Sequence, residues 1–476
     1  MSLTSKIGLA DALTIGRLDA HDQAALIVSG EASSAELVEA AILRIEAIDP
    51  KLNAVSHRAF DIARRRAVEA PRPSPTHLLS GAPYLLKDSL QYPGMPSQSG
   101  SRSRDGSLAS TAYPFARAFD AEGLVPVGMT TMPEFGLLGS TEGMRFGPTR
   151  NPWALERSPG GSSGGAGAAV AAGLTPLAHG SDAAGSIRIP AAACGVVGLK
   201  PGRGGNLRAR AVHWLDDVLC SDSLMARSVR DVAWAFRVAD PEQRPQVVRP
   251  GVRRLRIALV MDGMDGAPPS PEVADAVSKT AALCESLGHG VEIIDRPAAD
   301  PEIFDTILGA LWQHLGRDVT DATLLRWPGQ ALENLLEPWT LGLAEHCDQL
   351  TPADLERAYK VLSDAPYAWS TVFDRFDLVL SPTLATVAPP HGVLSPTQDY
   401  DSLLAALRAF IPYTPLQNMS GAPAISLPLF ESPPGLPIGS MFAADRGGEE
   451  LLLGLALELE AAKPWSARWP KVVHAS

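Results

Sequence analysis

SPGGSSGGAGAAVAAG at positions 158–173 and GSDAAGSIRIP at 180–190, with PYLLKDS at 83–89 upstream, decide how this chain is read. A Gly and Ser tract alone reads as a flexible linker, because it has no side chains to pack. Here NPW precedes the tract and AGAAVAAG continues it as a helix with an Ala and Gly face. The glycines are therefore read as places where backbone passes closely at a helix N-terminus. A phosphate cradle is a second reading, but neither G-x-x-x-x-G-K-[ST] nor G-x-G-x-x-G after a strand is found. A nucleophile elbow is a third: G-x-S-x-G matches at Ser162 and at Ser163, yet RNPWALERSPG before it does not read as the strand that motif requires.

The fourth reading joins the three strings. A serine is a weak nucleophile until a base activates it, and a lysine serves as that base when desolvation leaves it neutral. Lys87 follows the apolar run PYLL, where a strand end can bury its stem. Positions 87, 162 and 186 are so far apart that only the tertiary fold can bring them together, which argues for a site.

Outward from these strings, residues 20–70 read as helices, with Leu37, Ala40, Ala41, Ile45 and Ile48 at helical spacing and Ser33 or Ser34 as N-cap. From Gly81 the pattern changes to short apolar strings, APYLLKDS, GLVPVGMTT, LTPLAHGSD and GVVGLKP, joined later by RLRIALVM and FDLVLSPT. Such strings alternating with helical segments read as buried strands of an α/β layer fold. Between Gly205 and Leu380 the punctuation is weaker; Trp312, His314, Trp327 and Trp339 concentrate there and read as core or as pocket wall.

The chain has 476 residues, 45% hydrophobic and 20% charged, so a large core is available and length alone suggests two or three domains. A net charge of −12 excludes a phosphate-backbone partner, and the Arg64-Arg65-Arg66 run reads as a solvated helix face. Cys194, Cys220, Cys284 and Cys347 are widely spaced and read as reduced core thiols. Asp11 and Asp19 stand where a signal peptide needs an apolar run, and 164–174 is too short and too rich in Gly and Ala to span a bilayer, so a cytoplasmic protein with no membrane partner is expected.

GAPYLLKDS, FGPTRNPW, SPGGSSGGAGAA and GSDAAGSIRIPAAACGVVGLKP together resemble the signature region of the amidase signature family, serine hydrolases that use a Ser-cisSer-Lys triad. The resemblance extends to ELVEAAILRIEAIDPKLNAV, FDLVLSPTLA, NMSGAPAISLP and GLPIGSMF, and so covers nearly the whole chain. It implies an α/β fold with a large mixed twisted sheet between helical layers (α/β/α). One domain over 1–476 is implied in place of two or three, with a helical scaffold at 1–75, the signature core at 76–205, a variable pocket region at 206–375 and a return to the core at 376–476.

By the same resemblance Ser186 is the nucleophile, Ser162 the serine of a cis peptide and Lys87 the base. Ala183, Ala184, Gly185 and Ser186 supply the oxyanion hole. Ser163 holds the loop, and Asp182 with Arg188 form a buried ion pair or brace the loop by hydrogen bonds, with direct substrate contact as the alternative. The commoner family string has glycine where Ala184 stands; Ala-Ala-Gly-Ser is similar to aminohexanoate cyclic-dimer hydrolases of the family.

The implied reaction is hydrolysis of a small, rather apolar amide (linear or cyclic amide, anilide or carbamate), with no cofactor and no metal. The partner is that small molecule, with no nucleic acid, and a homodimer is expected. Alternatives are the glutaminase subunit of a tRNA-dependent amidotransferase, whose usual S-I-R-Q-P differs from Ser186-Ile187-Arg188-Ile189-Pro190, and a catalytically silent scaffold. Pocket walls are expected from 132–143, 304–339 and 413–418.

Overall fold

A computed structural model describes residues 7–210, 213–295 and 305–473. Its spine is two hydrogen-bonded sheets. The first runs β1 (Val55–Arg58), β3 (Val125–Thr130), β2 (Pro83–Lys87), β4 (Leu177–Asp182), β6 (Ser221–Ala226) in spatial order. The second runs β5 (Gly198–Lys200), β10 (Ala424–Glu431), β11 (Pro437–Ala443), β9 (Leu378–Pro382), β7 (Arg256–Leu259), β8 (Gly290–Ile293). The expected large sheet is thus divided, and among the described residues a single antiparallel bridge joins the halves: Val197 N–H donates to Ala226 O at 2.8 Å and Ala226 N–H to Val197 O at 3.3 Å.

Both sheets are mixed. β2 is parallel to β3 and β4, and β7 to β8 and β9, while β1, β6, β10 and β11 pair antiparallel. Every residue of β2, β3 and β9 is buried, as expected for strands covered on both faces. Along β2 the side chains alternate: Tyr84 and Leu86 join a core with Phe119 and Trp234, and Leu85 joins another with Ile45, Ala169 and Val170. The capping box at Ser33 and Glu36 starts the helix Ser34–Leu52 that covers this second face.

The helix Gly164–Ala171 is buried along its whole length. It lies so near the strand end after β3 that a Cβ on Gly165 would stand 2.6 Å from both Thr131 N and Thr131 O. No side chain fits there, so the small-residue string is packed scaffold rather than linker. Among the described residues no helix is long and apolar enough to cross a membrane. Arg64 and Arg65 face solvent as expected; Arg66 is half-buried, with an ion pair to Asp120 at 2.6 Å.

Candidate active site

β2 and β4 are adjacent and parallel, so their carboxyl ends, Lys87 and Asp182, meet on one side of the sheet. Crevices at that end are where open α/β sheets hold ligands. The loop before the helix Gly164–Ala171 arrives there with Ser162, preceded by a cis Gly161–Ser162 peptide. The turn after β4 arrives there with Ser186.

Lys87 is fully buried, with Nζ 2.7 Å from Ser162 Oγ and 2.9 Å from Ser181 Oγ. Burial lowers its pKa to about 7; Arg210 pushes the same way, and Asp222 pulls back. At neutral pH the amine is therefore substantially uncharged, with a lone pair available to a hydroxyl.

A polar network stands behind the lysine. Lys87 N–H donates to His179 Nδ1 (3.4 Å), His179 Nε2 lies 2.9 Å from Asp222 Oδ1, and Arg210 Nη1 donates to the same oxygen at 2.8 Å. Burial alone would raise the Asp222 pKa, but Arg210 and His179 hold it below the usual carboxylate value. Burial also lowers the pKa of His179.

The turn carrying Ser186 is braced by Asp182 and Arg188, both fully buried. Arg188 donates from Nε to Asp182 Oδ2 and from Nη2 to Oδ1, each at 2.9 Å. Burial pushes the Asp182 pKa up, but the charge and hydrogen bonds of Arg188 outweigh it and leave the value at about 2. Gln417 and Asn418 accept from the other guanidinium hydrogens, and Asn418 Nδ2 donates to Asp182 O and Oδ1. Ser163 Oγ donates to Ser181 O and accepts from Ser181 N–H, tying the serine loop to β4.

One expected oxyanion donor is engaged elsewhere. Gly185 N–H donates to Asp182 Oδ1 at 2.7 Å, while the carbonyl of the same peptide, Ala184 O, accepts from Thr414 Oγ1 at 2.6 Å. With both ends pinned, that peptide cannot aim its N–H at a substrate. Among the described residues, the backbone N–H groups of Ala183, Ala184 and Ser186 have no acceptor. Gly185 has φ 131°, and a Cβ there would meet Thr414 Oγ1 at 2.3 Å; Ala184 lies outside the left-handed region, so alanine is accommodated where the commoner family string has glycine.

Ser186, Ser162, Ser181 and Lys87 open onto one cavity of about 260 Å³. One wall is a stripe of the helix Trp312–Arg326, with Trp312, Leu315, Val319, Ala322 and Thr323 at helical spacing. Met132, Phe135, Gly136 and Leu137 line the cavity as well. Leu137 O accepts from both Trp312 Nε1 (3.0 Å) and Trp339 Nε1 (2.9 Å), fixing this loop to the helices.

The expected walls at 132–143 and 304–339 thus contribute, although Phe304 itself lies outside the described residues. The segment 413–418 does not: its Thr414, Gln417 and Asn418 brace the turn that carries Ser186 instead. Cys220, read as a core thiol, is half-buried on the cavity wall, whereas Cys194 and Cys284 are buried.

Sequence reading missed Ser181, His179, Asp222, Arg210 and His213. Ser181 and His179 sit two apart in LAHGSD, a spacing that puts them on one side of a strand. Asp222 reaches the site only because β6 pairs with β4 in the register Ser181↔Asp222, which no local pattern announces.

At the cavity rim the ligand atoms of His213, His314 and Asp318 lie within 4.8 Å of one another. However, His213 Nδ1 accepts from Leu215 N–H (3.1 Å), so the neutral ring carries its proton on Nε2, facing Asp318 Oδ2 at 2.6 Å. That is a hydrogen-bonded His and Asp pair, opposite in proton placement to a metal ligand.

The Amidase family profile matches residues 36–453. The chain belongs to the amidase family. This amidase is 39% identical over 459 residues to the AmiC protein of Mycobacterium leprae (strain TN), covering 95% of this chain and 96% of that one. It is 36% identical over 491 residues to the 6-aminohexanoate-cyclic-dimer hydrolase of Pseudomonas sp. (strain NK87), covering 96% and 97%. The solved structure of a 6-aminohexanoate cyclic dimer hydrolase complexed with substrate superposes with a TM-score of 0.88 at 34% identity, over 96% of this chain and 99% of that one. The amidase fold is therefore the mixed α/β fold of those structures, and the chain is a carbon–nitrogen hydrolase by family.

Proposed function

We propose that this amidase cleaves a small, rather apolar amide through Ser186 as nucleophile, Ser162 as proton relay and Lys87 as base. The observation that carries this reading is the buried contact of Lys87 Nζ with Ser162 Oγ, 2.7 Å, beside the cavity that Ser186 also lines. Neutral Lys87 accepts the Ser162 proton as Ser162 accepts that of Ser186, whose Oγ bonds to the amide carbon. The N–H groups of Ala183, Ala184 and Ser186 stabilise the oxyanion; losing one such donor costs about 3–4 kcal/mol of barrier.

Collapse of the tetrahedral intermediate breaks the C–N bond, and the proton returns through Ser162 to the departing amine. Water then releases the acyl group from Ser186 by the same relay. Apolar walls from Trp312, Leu315, Val319, Met132 and Leu137 support an apolar substrate.

The test is initial-rate measurement of wild type and Ser186→Ala on aliphatic and cyclic amides, anilides, carbamates, short esters and glutamine. Hydrolysis by wild type alone is expected, with the best substrate among the amides, anilides and carbamates rather than glutamine. Equal hydrolysis by Ser186→Ala would reject Ser186 as nucleophile, and ammonia release from glutamine as the best reaction would favour the glutaminase alternative.

A further inference from the structure

The charges on the cavity wall are nearly all answered within the protein. Arg210 is paired with Asp222 (2.8 Å) and Arg326 with Asp105 (2.7 Å), and Asp318 accepts a hydrogen bond from His213 Nε2 (2.6 Å). Arg104 is the exception: among the described residues no carboxylate lies within ion-pair distance of its guanidinium, and the neighbouring Asp105 is held by Arg326. The Arg104 guanidinium instead stands 5.2 Å over the ring of Phe135, half-buried on the cavity wall. Burial first, and then the like charge of Arg326, hold its pKa below the ordinary arginine value, with Asp105 pulling back from beyond ion-pair distance.

A second, independent observation concerns backbone. Phe135 has φ 49° and Ser99 φ 51°, both line the cavity, and Phe135 N–H donates to Ser99 O at 2.7 Å. A bulky aromatic in the left-handed region is an outlier, and such outliers cluster where a ligand is held. Here the unusual backbone puts the Phe135 ring under Arg104, the arginine of the wall that among the described residues has no carboxylate within ion-pair distance.

We infer that Arg104, backed by Phe135, forms a subsite for a carboxylate at the far end of the substrate, so that the preferred amide is apolar along its length and anionic at its tip. This rests on the amidase reading above and extends it to a substrate class. A planar guanidinium bonds a carboxylate through two parallel N–H groups, and a cation already desolvated on an apolar wall gains more from an anion than one in water. Gly136, next to Phe135, packs against Ser162 (3.2 Å from Oγ to a Cβ built on the glycine), so the guanidinium over Phe135 and the serines face one cavity, and seven-carbon chains probe the span between them.

Two matched pairs of amides test this: the 4-nitroanilides of heptanoic acid and of pimelic acid (free terminal carboxylate), and the acetamides of heptylamine and of 7-aminoheptanoate. In wild type the carboxylate member of one pair is expected to have a KM about 10-fold to 100-fold lower than its neutral partner. Arg104→Gln should collapse that ratio, Arg104→Lys should keep part of it, and Arg104→Glu should invert it toward an ammonium-ended analogue. Unchanged melting temperatures would show that the variants fold.

Calorimetric binding of the same compounds to Ser186→Ala protein, with and without Arg104→Gln, needs no turnover. Binding of the carboxylate member that is lost with Arg104→Gln supports the subsite even where hydrolysis fails, which would reject the amidase mechanism alone. Equal KM and equal binding within both pairs, a preference that survives Arg104→Gln, or no binding of either carboxylate member overturns the subsite.

Discussion

The acid limb of the pH–rate profile is where the buried lysine is most exposed to test. Lys87 must be neutral to accept the Ser162 proton, and its pKa is about 7 because its ammonium is desolvated and Arg210 repels it. The neutral share then rises from about one tenth at pH 6 to about nine tenths at pH 8, so kcat/KM should climb roughly tenfold across that interval and flatten above it. An ordinary lysine would be about 0.04% neutral at pH 7 and would give a rise of roughly tenfold per pH unit to nearly pH 10.

The environment supplies a second lever. Asp222 raises the lysine pKa, so Asp222→Asn should move the limb down, on the order of one pH unit. The assay is kcat/KM on an amide whose rate depends on its leaving group, so that chemistry limits it, from about pH 5.5 to about pH 9.5. A flat profile, a limb still rising tenfold per unit above pH 9, or an upward shift in Asp222→Asn would refute the neutral-base argument.

Other outcomes follow from the same packing. Lys87→Met should lower kcat by about 10²- to 10⁴-fold yet raise stability. The unfolded lysine keeps its proton to about pH 10.4 and the folded one only to about 7, so the folded state pays its full penalty below pH 7 and regains stability as pH rises to 10. Urea unfolding at pH 6.5 and pH 10 should therefore show the larger gain for the methionine variant at pH 6.5. Asp182→Asn leaves the buried Arg188 charge without its counter-ion and should cost about 3–5 kcal/mol, read as a lower urea midpoint at constant slope; a change below 1 kcal/mol would count against the bracing role. Ala184→Gly should leave kcat/KM within about twofold while costing about 0.4–1 kcal/mol of stability, whereas Gly185→Ala, which drives a methyl into Thr414, should lose both activity and stability.

Much of the site was legible in the chain. The small-residue strings and the burial of the lysine after PYLL were legible because each follows a local rule, glycine where backbone must touch backbone, as Gly165 does at Thr131, and an apolar run where a strand end is buried; the serines at 162 and 186 were singled out by the resemblance to the amidase signature family. The segment 304–339 was legible as a wall only through its concentration of bulky residues such as Trp312; the stripe Trp312, Leu315, Val319, Ala322 and Thr323 emerges with the helix.

What lay beyond the sequence was every property that depends on which strand lies beside which. The register of β4 with β6 sets Asp222 opposite Ser181 and so tunes Lys87; the path of 413–418 takes Thr414 to the Ala184 carbonyl and turns the Gly185 N–H away from the substrate; and the isolation of Arg104 depends on Arg326 having claimed Asp105. The sequence by itself determined the chemistry available, because residue type and local period are carried along the chain. Only the tertiary structure decided which groups are charged, which donors are free and what the cavity is shaped to hold, because burial and long-range pairing exist only once distant segments are packed together.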